Sequence, residues 1–271
     1  MNELHLFAGA GGGILGGILL GHRTVCAVEI NPYCRKVLLQ RQRDGVLPRF
    51  PIWDDVTTFD ARPWRGYVDE IDGGFPCQDV SSANTNAVGI SGRRSGLWKS
   101  MFRIVDEIQP RRVLIENSPM LRTRGLNVVL DDLASIGYDA QWDIFTAAAS
   151  GADHIRKRMF ILGYPNSNRQ SAIPKHDEAS RMQADATYSH RAQRKRRSLS
   201  SGVHPEHSFT CGPDWWEDKP GVERVADGVA DQVDRLRAIG NGQVSCVAAR
   251  ARQTLEARIL NTRTTWKEAE Q

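Results

Sequence analysis

The chain has 271 residues, of which 40% are hydrophobic and 25% are charged, the ordinary range for a globular protein with a sizeable core. No stretch approaches the roughly 20 apolar residues that a membrane-spanning helix needs, and the first residues show neither a basic leader nor a cleavage site. We therefore expect a cytoplasmic protein without membrane contact. Five cysteines without a C-x-x-C pair argue against a disulfide framework.

Short apolar runs alternate with segments of helical spacing over residues 1–164. Strands are predicted for "ELHLF" (3–7), "TVCAVEI" (24–30), "EIDGGF" (70–75), "RRVLIEN" (111–117), "AQWDIFTAA" (140–148) and "RMFILGY" (158–164). Helices are predicted for "PYCRKVLLQRQR" (32–43), "LWKSMFRIVDEIQ" (97–109) and "LNVVLDDLASIG" (126–137). Because strand alternates with helix, we expect an α/β fold with a doubly wound, mostly parallel sheet.

The apolar pattern divides the chain into three parts. It lapses over residues 165–234, where Ser, Arg, Gln, His and Asp dominate, and it returns over 235–271 with a glycine turn and a helical segment. We therefore predict a main domain over 1–164, a loop-rich region over 165–234 and a C-terminal return to the main domain over 235–271. The net charge is only +4, but "HRAQRKRR" (190–197) concentrates basic residues and indicates a polyanionic partner.

A glycine-rich turn follows the first predicted strand. In "LHLFAGAGGGILGG" a G-x-G-x-x-G pattern begins at Gly11, and such a turn brings backbone N–H groups close to a ligand. Glu29 ends the next strand, where nicotinamide-dependent enzymes and methyltransferases place an acid on ribose hydroxyls. The pattern alone leaves both enzyme classes open, together with a tight turn beside a surface glutamate.

Five motifs occur in an order that narrows this choice. "FAGAGGG", "PCQDVSSA", "IENSP", "HIRKRMFILG" and "IGNGQVSCVA" together resemble those of the DNA cytosine-5 methyltransferases of bacterial or phage type. The resemblance covers residues 4–164 and 235–250, and it leaves out the segment where that family carries its variable target-recognition region. It implies a Rossmann-like fold, S-adenosyl-L-methionine as cofactor and double-stranded DNA as partner.

The resemblance assigns catalysis to four residues. Addition of a thiolate at carbon 6 of a flipped cytosine makes carbon 5 nucleophilic enough to accept a methyl group, and this role falls on Cys77. Glu116 would hold the proton at N3 of the base. Arg156 would help to hold the base and Arg158 would support the catalytic carboxylates. Because the two arginines alternate along "HIRKRMF" (154–160), we expect their side chains on one face of a strand.

The resemblance also implies a cofactor pocket, whose residues in chain order are Phe7, Gly9, Gly11, Glu29, Asp55, Gly74, Pro76 and Asn241. The first three would line the methionine part of S-adenosylmethionine, and Glu29 would bind the ribose. Asp55 would bind the adenine amino group, with the adjacent Asp54 as an alternative. Gly74 and Pro76 would back the site.

The remaining cysteines and the histidines receive structural interpretations. We expect Cys26, Cys34, Cys211 and Cys246 to be small buried hydrophobic residues. His204, His207 and Cys211 have spacings that zinc accepts, but a structural zinc site needs about four protein ligands. We therefore predict no metal.

Two positions depart from the family pattern: Ser118 follows Asn117 where valine is usual, and Ser245 stands where proline is usual. Two alternatives to an active methyltransferase stay open. A catalytically idle DNA-binding relative would keep the fold alone, and a nicotinamide-dependent oxidoreductase would give no reason for Cys77 and Glu116 to occur together. We expect a monomer, and a companion restriction endonuclease stays open.

Overall fold

The computed structural model describes residues 1–76, 96–166, 238, 240 and 242–269, with side chains as far as residue 261. One sheet in this part of the chain contains β1 (Asn2–Leu6), β2 (Arg23–Val28), β3 (Ile52–Trp53), β4 (Glu70–Gly73), β5 (Arg112–Asn117), β6 (Tyr138–Thr146) and β7 (Lys157–Pro165). The α-helices are α1 (Gly12–Leu19), α2 (Pro32–Arg43), α3 (Gly96–Ile108), α4 (Leu121–Arg124), α5 (Leu126–Ser135) and α6 (Ser245–Ala269). No helix in the described residues is long and apolar enough to cross a membrane.

The strand order is β3-β2-β1-β4-β5-β7-β6, which confirms the predicted α/β sheet. From β1 the chain moves outward through β2 to β3, and from β4 it moves to the other side through β5. The direction of winding therefore reverses between β1 and β4. Loops after two such strands lead away from each other and leave a crevice at the carboxyl ends of the strands, where ligands bind in folds of this type.

The strand β7 differs from the expectation of parallel strands. It pairs antiparallel with both β5 and β6, and Glu116 lies opposite Phe160. The link between β6 and β7 spans only residues 147–156, whereas a parallel crossover needs a dozen or more residues. The sheet is therefore mostly parallel with β7 as the exception, and the start of β7 lies at the carboxyl end of β5.

Local sequence explains the two helices that flank the first half of the sheet. Helix α2 has the predicted bounds, because the side chain of Asn31 accepts hydrogen bonds from the N–H groups of Tyr33 and Cys34 at 2.8 and 3.2 Å and Pro32 suits the first helical position. Helix α3 buries one apolar stripe, which contains Trp98, Met101, Ile104, Val105 and Ile108.

A cluster of charged side chains lies buried between α6 and the strands β1 and β4. The Nε atom of Arg252 lies 2.7 Å from Glu70, and a terminal nitrogen of its guanidinium lies 2.8 Å from Asp72 and 3.5 Å from Glu3. His5 lies between Glu3 and Asp72, with one ring nitrogen 3.1 Å from each. All five side chains are at most 2% exposed. The cluster therefore fixes the C-terminal helix to the first and fourth strands.

The glycines of α1 make room for this cluster. A Cβ atom on Gly17 would lie 1.9 Å from a carboxylate oxygen of Glu3, and one on Gly13 would lie 2.5 Å from a carboxylate oxygen of Asp72. Real Cβ atoms do not approach oxygen so closely. Part of the glycine-rich sequence that we assigned to ligand binding thus serves the contact between α1 and the buried acids.

The pKa values of four of the five charged groups in the cluster are shifted toward the ionised form, and Glu70 is the exception. Burial lowers the pKa of His5, but hydrogen bonds to Asp72 and Glu3 outweigh burial and raise it to about 9. Burial would raise the pKa of Asp72 and of Glu3, yet Arg252 and the histidine hydrogen bonds hold both below the ordinary carboxyl value. Burial prevails at Glu70 and raises its pKa, so Glu70 is the acid that protonates most readily here.

We predict that Arg252→Met destabilises the protein by about 3–5 kcal/mol, because removal of one partner from a buried ion pair leaves the other charges uncompensated. Arg258→Met is the matched control. Arg258 pairs with Asp143 where the two side chains are 46% and 42% exposed, and loss of such a pair costs less than about 1 kcal/mol. Urea unfolding of both variants measures the difference. An equal loss in the two variants would contradict the role given to the cluster.

Candidate active site and cofactor pocket

The turn after β1 has an unusual backbone conformation. Phe7, Gly9 and Gly11 have φ angles of 55°, 54° and 96°, and a positive φ is uncommon for a residue with a side chain such as Phe7. Gly11 precedes α1 without a side-chain cap, so the first N–H groups of this helix are left for other acceptors. Strained backbone of this kind is concentrated at binding sites in proteins.

Glu29 holds this turn against the start of α2. Its Oε2 accepts the N–H of Gly9 at 2.6 Å, and its Oε1 accepts the N–H of Asn31 at 2.7 Å. The side chain is only 7% exposed, so the alternative of a surface glutamate is wrong. A carboxylate accepts about four hydrogen bonds, which leaves capacity for hydroxyl donors of a ligand.

The loop after β3 carries the two candidate adenine acids. Asp55 accepts hydrogen bonds from the N–H and the hydroxyl of Thr57 at 2.8 and 2.7 Å, and these bonds lower its pKa. Asp54 is exposed. Both follow the carboxyl end of β3, beside the end of β2.

Ile30 is a candidate binding residue that sequence reasoning missed. It follows Glu29 at the carboxyl end of β2, and it is 68% exposed. A large apolar side chain in this position offers a flat ligand an apolar contact. The sequence feature that could have indicated Ile30 is its position directly after Glu29 at the end of a predicted strand.

A pocket opens where the winding direction reverses. Its lining consists of His5, Leu6, Phe7, Ala8, Gly9, Gly13, Asp72, Gly74, Glu116, Gly242 and Gln243. Phe7, Gly9, Gly74 and Glu116 were candidate site residues, and the fold brings them together here. His5, Asp72 and Gln243 were not among the candidates. The signal for the first two was the presence of ionisable residues within otherwise apolar strands.

Glu116 is the penultimate residue of β5, lies in the wall of this pocket and is 7% exposed. One of its oxygens lies 2.8 Å from Nε of Arg158. Burial outweighs the effect of Arg158 and Arg156 and raises the pKa of Glu116 to about 7. A Cβ atom on residue 74 would lie 2.7 Å from the other oxygen, so Gly74 makes room for the carboxyl group. This group is therefore able to hold or release a proton near neutral pH.

The two arginines have different partners. Arg158 in β7 reaches Glu116, whereas Arg156 precedes β7 and donates hydrogen bonds to the carbonyls of Gly240 and Gly242 at 2.7 and 2.6 Å. β7 begins at Lys157, so Arg156 lies just before the strand and not within it as expected, although both arginines act electrostatically on Glu116. Arg156 instead joins the β6–β7 link to the C-terminal return.

The segment that leads to Cys77 is anchored beside Glu116. The side-chain amide of Asn117 donates to the carbonyl of Phe75 at 3.3 Å, and the ring of Phe75 packs on Trp98 at 5.4 Å between centroids. Pro76, the last described residue before Cys77, is exposed. Two contacts therefore fix the backbone two residues before the candidate nucleophile.

Several predicted features lie outside the described residues. These are Cys77, Cys211, Asn241, the histidines 204 and 207, and the basic run 190–197. Cys26 and Cys34 are buried, as predicted. Burial raises the pKa of Cys26 to about 12, which suits an inert thiol.

Three described residues have ligand atoms close enough to share a metal ion: Glu3, His22 and Glu70 lie within 4.8 Å of one another. However, Arg252 forms ion pairs with both of these acids, and His22 hydrogen-bonds to Glu3 at 2.7 Å. A guanidinium thus already neutralises the acids at this place.

The sequence family described as C-5 cytosine-specific DNA methylase matches residues 1–270. The chain belongs to this family. Membership agrees with the five motifs and with the pocket at the reversal point of the sheet, and it disfavours the nicotinamide-dependent oxidoreductase.

Curated relatives match more than half of the chain. It is 36% identical over 160 residues to the Type II methyltransferase M.CviJI of Paramecium bursaria Chlorella virus IL3A. This match covers 59% of this chain and 42% of the relative. It is 31% identical over 170 residues to the Type II methyltransferase M2.BsuMI of Bacillus subtilis, and this match covers 60% of this chain and 41% of the relative. The chain thus spans less than half the length of these relatives.

Solved structures share the fold. A protein described as a prophage-encoded DNA modification methyltransferase of E. coli is 28% identical with a TM-score of 0.50, over 62% of this chain and 48% of that chain. A variant of Spodoptera frugiperda DNMT2 has the same TM-score of 0.50 at 20% identity, over 61% of this chain and 50% of that chain. The second likeness concerns the fold alone.

The protonation of Glu116 predicts a pH-dependent stability. Because its pKa is raised to about 7 in the folded state, the group favours folding at low pH, and this contribution is lost as the pH rises through the folded-state pKa. Glu116→Gln removes the titration. The variant should gain stability relative to the unmodified protein between about pH 5 and 7, by up to about 1.4 kcal/mol per pH unit.

Urea unfolding of both proteins across this pH range measures the gain. A stability difference that stays constant with pH would contradict a proton-holding carboxyl at position 116.

Proposed function

We propose that this protein is a DNA cytosine-5 methyltransferase, which transfers a methyl group from S-adenosylmethionine to carbon 5 of a cytosine turned out of the duplex. One observation carries the proposal: Glu116, a buried carboxyl group with a pKa near 7, shares a pocket with the glycine turn after β1. Activation of cytosine requires a carboxyl group that is protonated near neutral pH and lies beside the binding site of the methyl donor.

The residues of the pocket, together with those after the ends of β2 and β3, fit the methyl donor. The glycine turn lets backbone approach the ligand, Glu29 retains acceptor capacity for ribose hydroxyls, and Ile30 offers an apolar contact for the adenine. Asp54 and Asp55 are the acids available for the adenine amino group. Pro76 and Asn241 are assigned to the same pocket by family resemblance. When bound, S-adenosylmethionine supplies an electrophilic methyl group.

Catalysis begins at carbon 6 of the cytosine. The thiolate of Cys77 forms a bond to carbon 6 while Glu116 provides a proton at N3, so that the ring becomes a neutral enamine. Carbon 5 would then take the methyl group while the bond between that methyl group and the donor sulfur breaks, which leaves S-adenosylhomocysteine. Glu116 regains its proton from N3. Transfer of the carbon 5 proton to solvent and departure of the thiolate then restore the double bond between carbons 5 and 6.

The basic side chains around Glu116 hold this arrangement. Arg158 lies 2.8 Å from the carboxyl group and orients it toward the pocket. Arg156 keeps the C-terminal return against the β6–β7 link through the carbonyls of Gly240 and Gly242. In this way Arg156 acts on the base through the loop that it positions.

The regions that the structure does not describe receive their roles from the same proposal. Residues 165–234 form the target-recognition region between the main domain of 1–164 and the C-terminal return of 235–271. Within it, the basic run 190–197 neutralises DNA phosphates. The curated relatives are named Type II methyltransferases, and we extend the proposal to a restriction-modification role.

A duplex with 5-fluorocytosine at the target position tests the proposal through Cys77. Fluorine at carbon 5 does not leave as a proton does, so methyl transfer stops at a covalent protein–DNA adduct. We expect this adduct by denaturing electrophoresis with the unmodified protein and S-adenosylmethionine, and none with Cys77→Ala.

Cys26→Ala is the matched control, because Cys26 is a buried thiol with a pKa near 12 and its loss should leave trapping intact. A trapped adduct with Cys77→Ala, or trapping that depends on Cys26, would refute the covalent mechanism.

A further inference from the structure

The guanidinium of Arg103 joins helix α3 to the loop that follows β3. One of its terminal nitrogens donates hydrogen bonds to the carbonyls of Val56 at 3.2 Å and of Phe59 at 3.1 Å. The other terminal nitrogen lies 3.0 Å from each carboxylate oxygen of Glu107, one helical turn further along α3. Because the donors of an arginine form a rigid planar fork, the pair with Glu107 sets the direction in which the guanidinium meets the loop.

The loop of residues 54–60 has few directional contacts with the rest of the protein. The strand before it, Ile52–Trp53, pairs with β2 over only two residues. The side chains of Val56 and Phe59 are buried in the core, but apolar burial does not fix orientation. Among the described residues, Arg103 donates the hydrogen bonds that tie this loop to another helix. Arg103 therefore orients the loop backbone that core packing holds in place.

The two acids of the loop follow this backbone. Asp54 and Asp55 stand directly before Val56, whose carbonyl accepts from Arg103. The carboxylate of Asp55 accepts the N–H and the hydroxyl of Thr57 at 2.8 and 2.7 Å, and Thr57 lies within the segment that the guanidinium holds. A shift of the loop backbone would therefore carry the carboxylate of Asp55 with it.

We propose that Arg103 is a positioning residue that sets the selectivity of this protein for the base of its methyl donor. The inference rests on the proposed function, in which Asp54 and Asp55 are the acids for the adenine amino group. Arg103 acts through the loop, because Glu107 and the loop carbonyls engage both of its terminal nitrogens. A carboxylate accepts from an amino group and repels a carbonyl oxygen, so a correctly placed acid selects a 6-amino purine over a 6-oxo purine.

Calorimetry with two ligands measures this selectivity without catalysis. The first ligand is S-adenosylhomocysteine, and the second is S-inosylhomocysteine, in which a carbonyl oxygen replaces the 6-amino group. We expect the unmodified protein to bind the first about 10- to 100-fold more tightly. Arg103→Met removes both carbonyl contacts and should reduce this preference by about threefold or more. Glu107→Gln keeps the arginine and weakens only its orientation, so it should reduce the preference by a smaller factor.

Arg62→Met is the matched control, because Arg62 pairs with Asp60 beside the same loop while its side chain is 78% exposed, and the preference should not change. Equal weakening of both ligands by Arg103→Met would show a structural role and overturn the inference, as would an unchanged preference.

If Arg103→Met does not fold, Glu107→Gln decides between these outcomes. If the unmodified protein binds the two ligands equally, the role given to Arg103 is wrong while the donor proposal stands. If it binds neither ligand, the proposed function falls and the inference falls with it.

Discussion

The ion pairs of Arg252 with the acids of β1 and β4 join the two ends of the described chain. Without them, the ion pairs between α6 and the sheet would be the more exposed pairs of Glu256 with Arg112 and of Arg258 with Asp143. A buried ion pair adds little net stability compared with apolar packing, so its main effect here is placement. It fixes α6, and therefore the loop before α6, against the turn that follows β1. The pocket that contains Glu116 forms between this loop and that turn.

The orientation of β7 is the second constraint on the site. Because β7 runs antiparallel to β5, its first residues lie at the carboxyl end of β5 and Arg158 reaches Glu116. If β7 ran parallel to β5, Arg158 would lie at the amino end of β5, away from Glu116. The same orientation brings Arg156 to the carbonyls of Gly240 and Gly242. The antiparallel direction of β7 thus places Arg158 beside Glu116 and lets Arg156 bind the loop before α6.

Sequence reasoning recovered the features that depend on local pattern. Alternating strands and helices predicted the α/β sheet, and Pro32 predicted the start of α2. The cluster around Arg252 escaped prediction because its partners are separated by about 180 positions along the chain, and isolated charges within apolar strands carry no local pairing signal. The antiparallel direction of β7 was not predicted, although the short link between β6 and β7 (147–156) could have indicated it. The roles of Cys77 and Asn241 still rest on family resemblance.

The most direct measurement for the whole account is the identity of the modified base. Duplex DNA incubated with the protein and methyl-labelled S-adenosylmethionine is digested to nucleosides and analysed by mass spectrometry. The account predicts label in 5-methyldeoxycytidine alone. Label on the exocyclic nitrogen of cytosine or adenine, or DNA binding without any label, would contradict it.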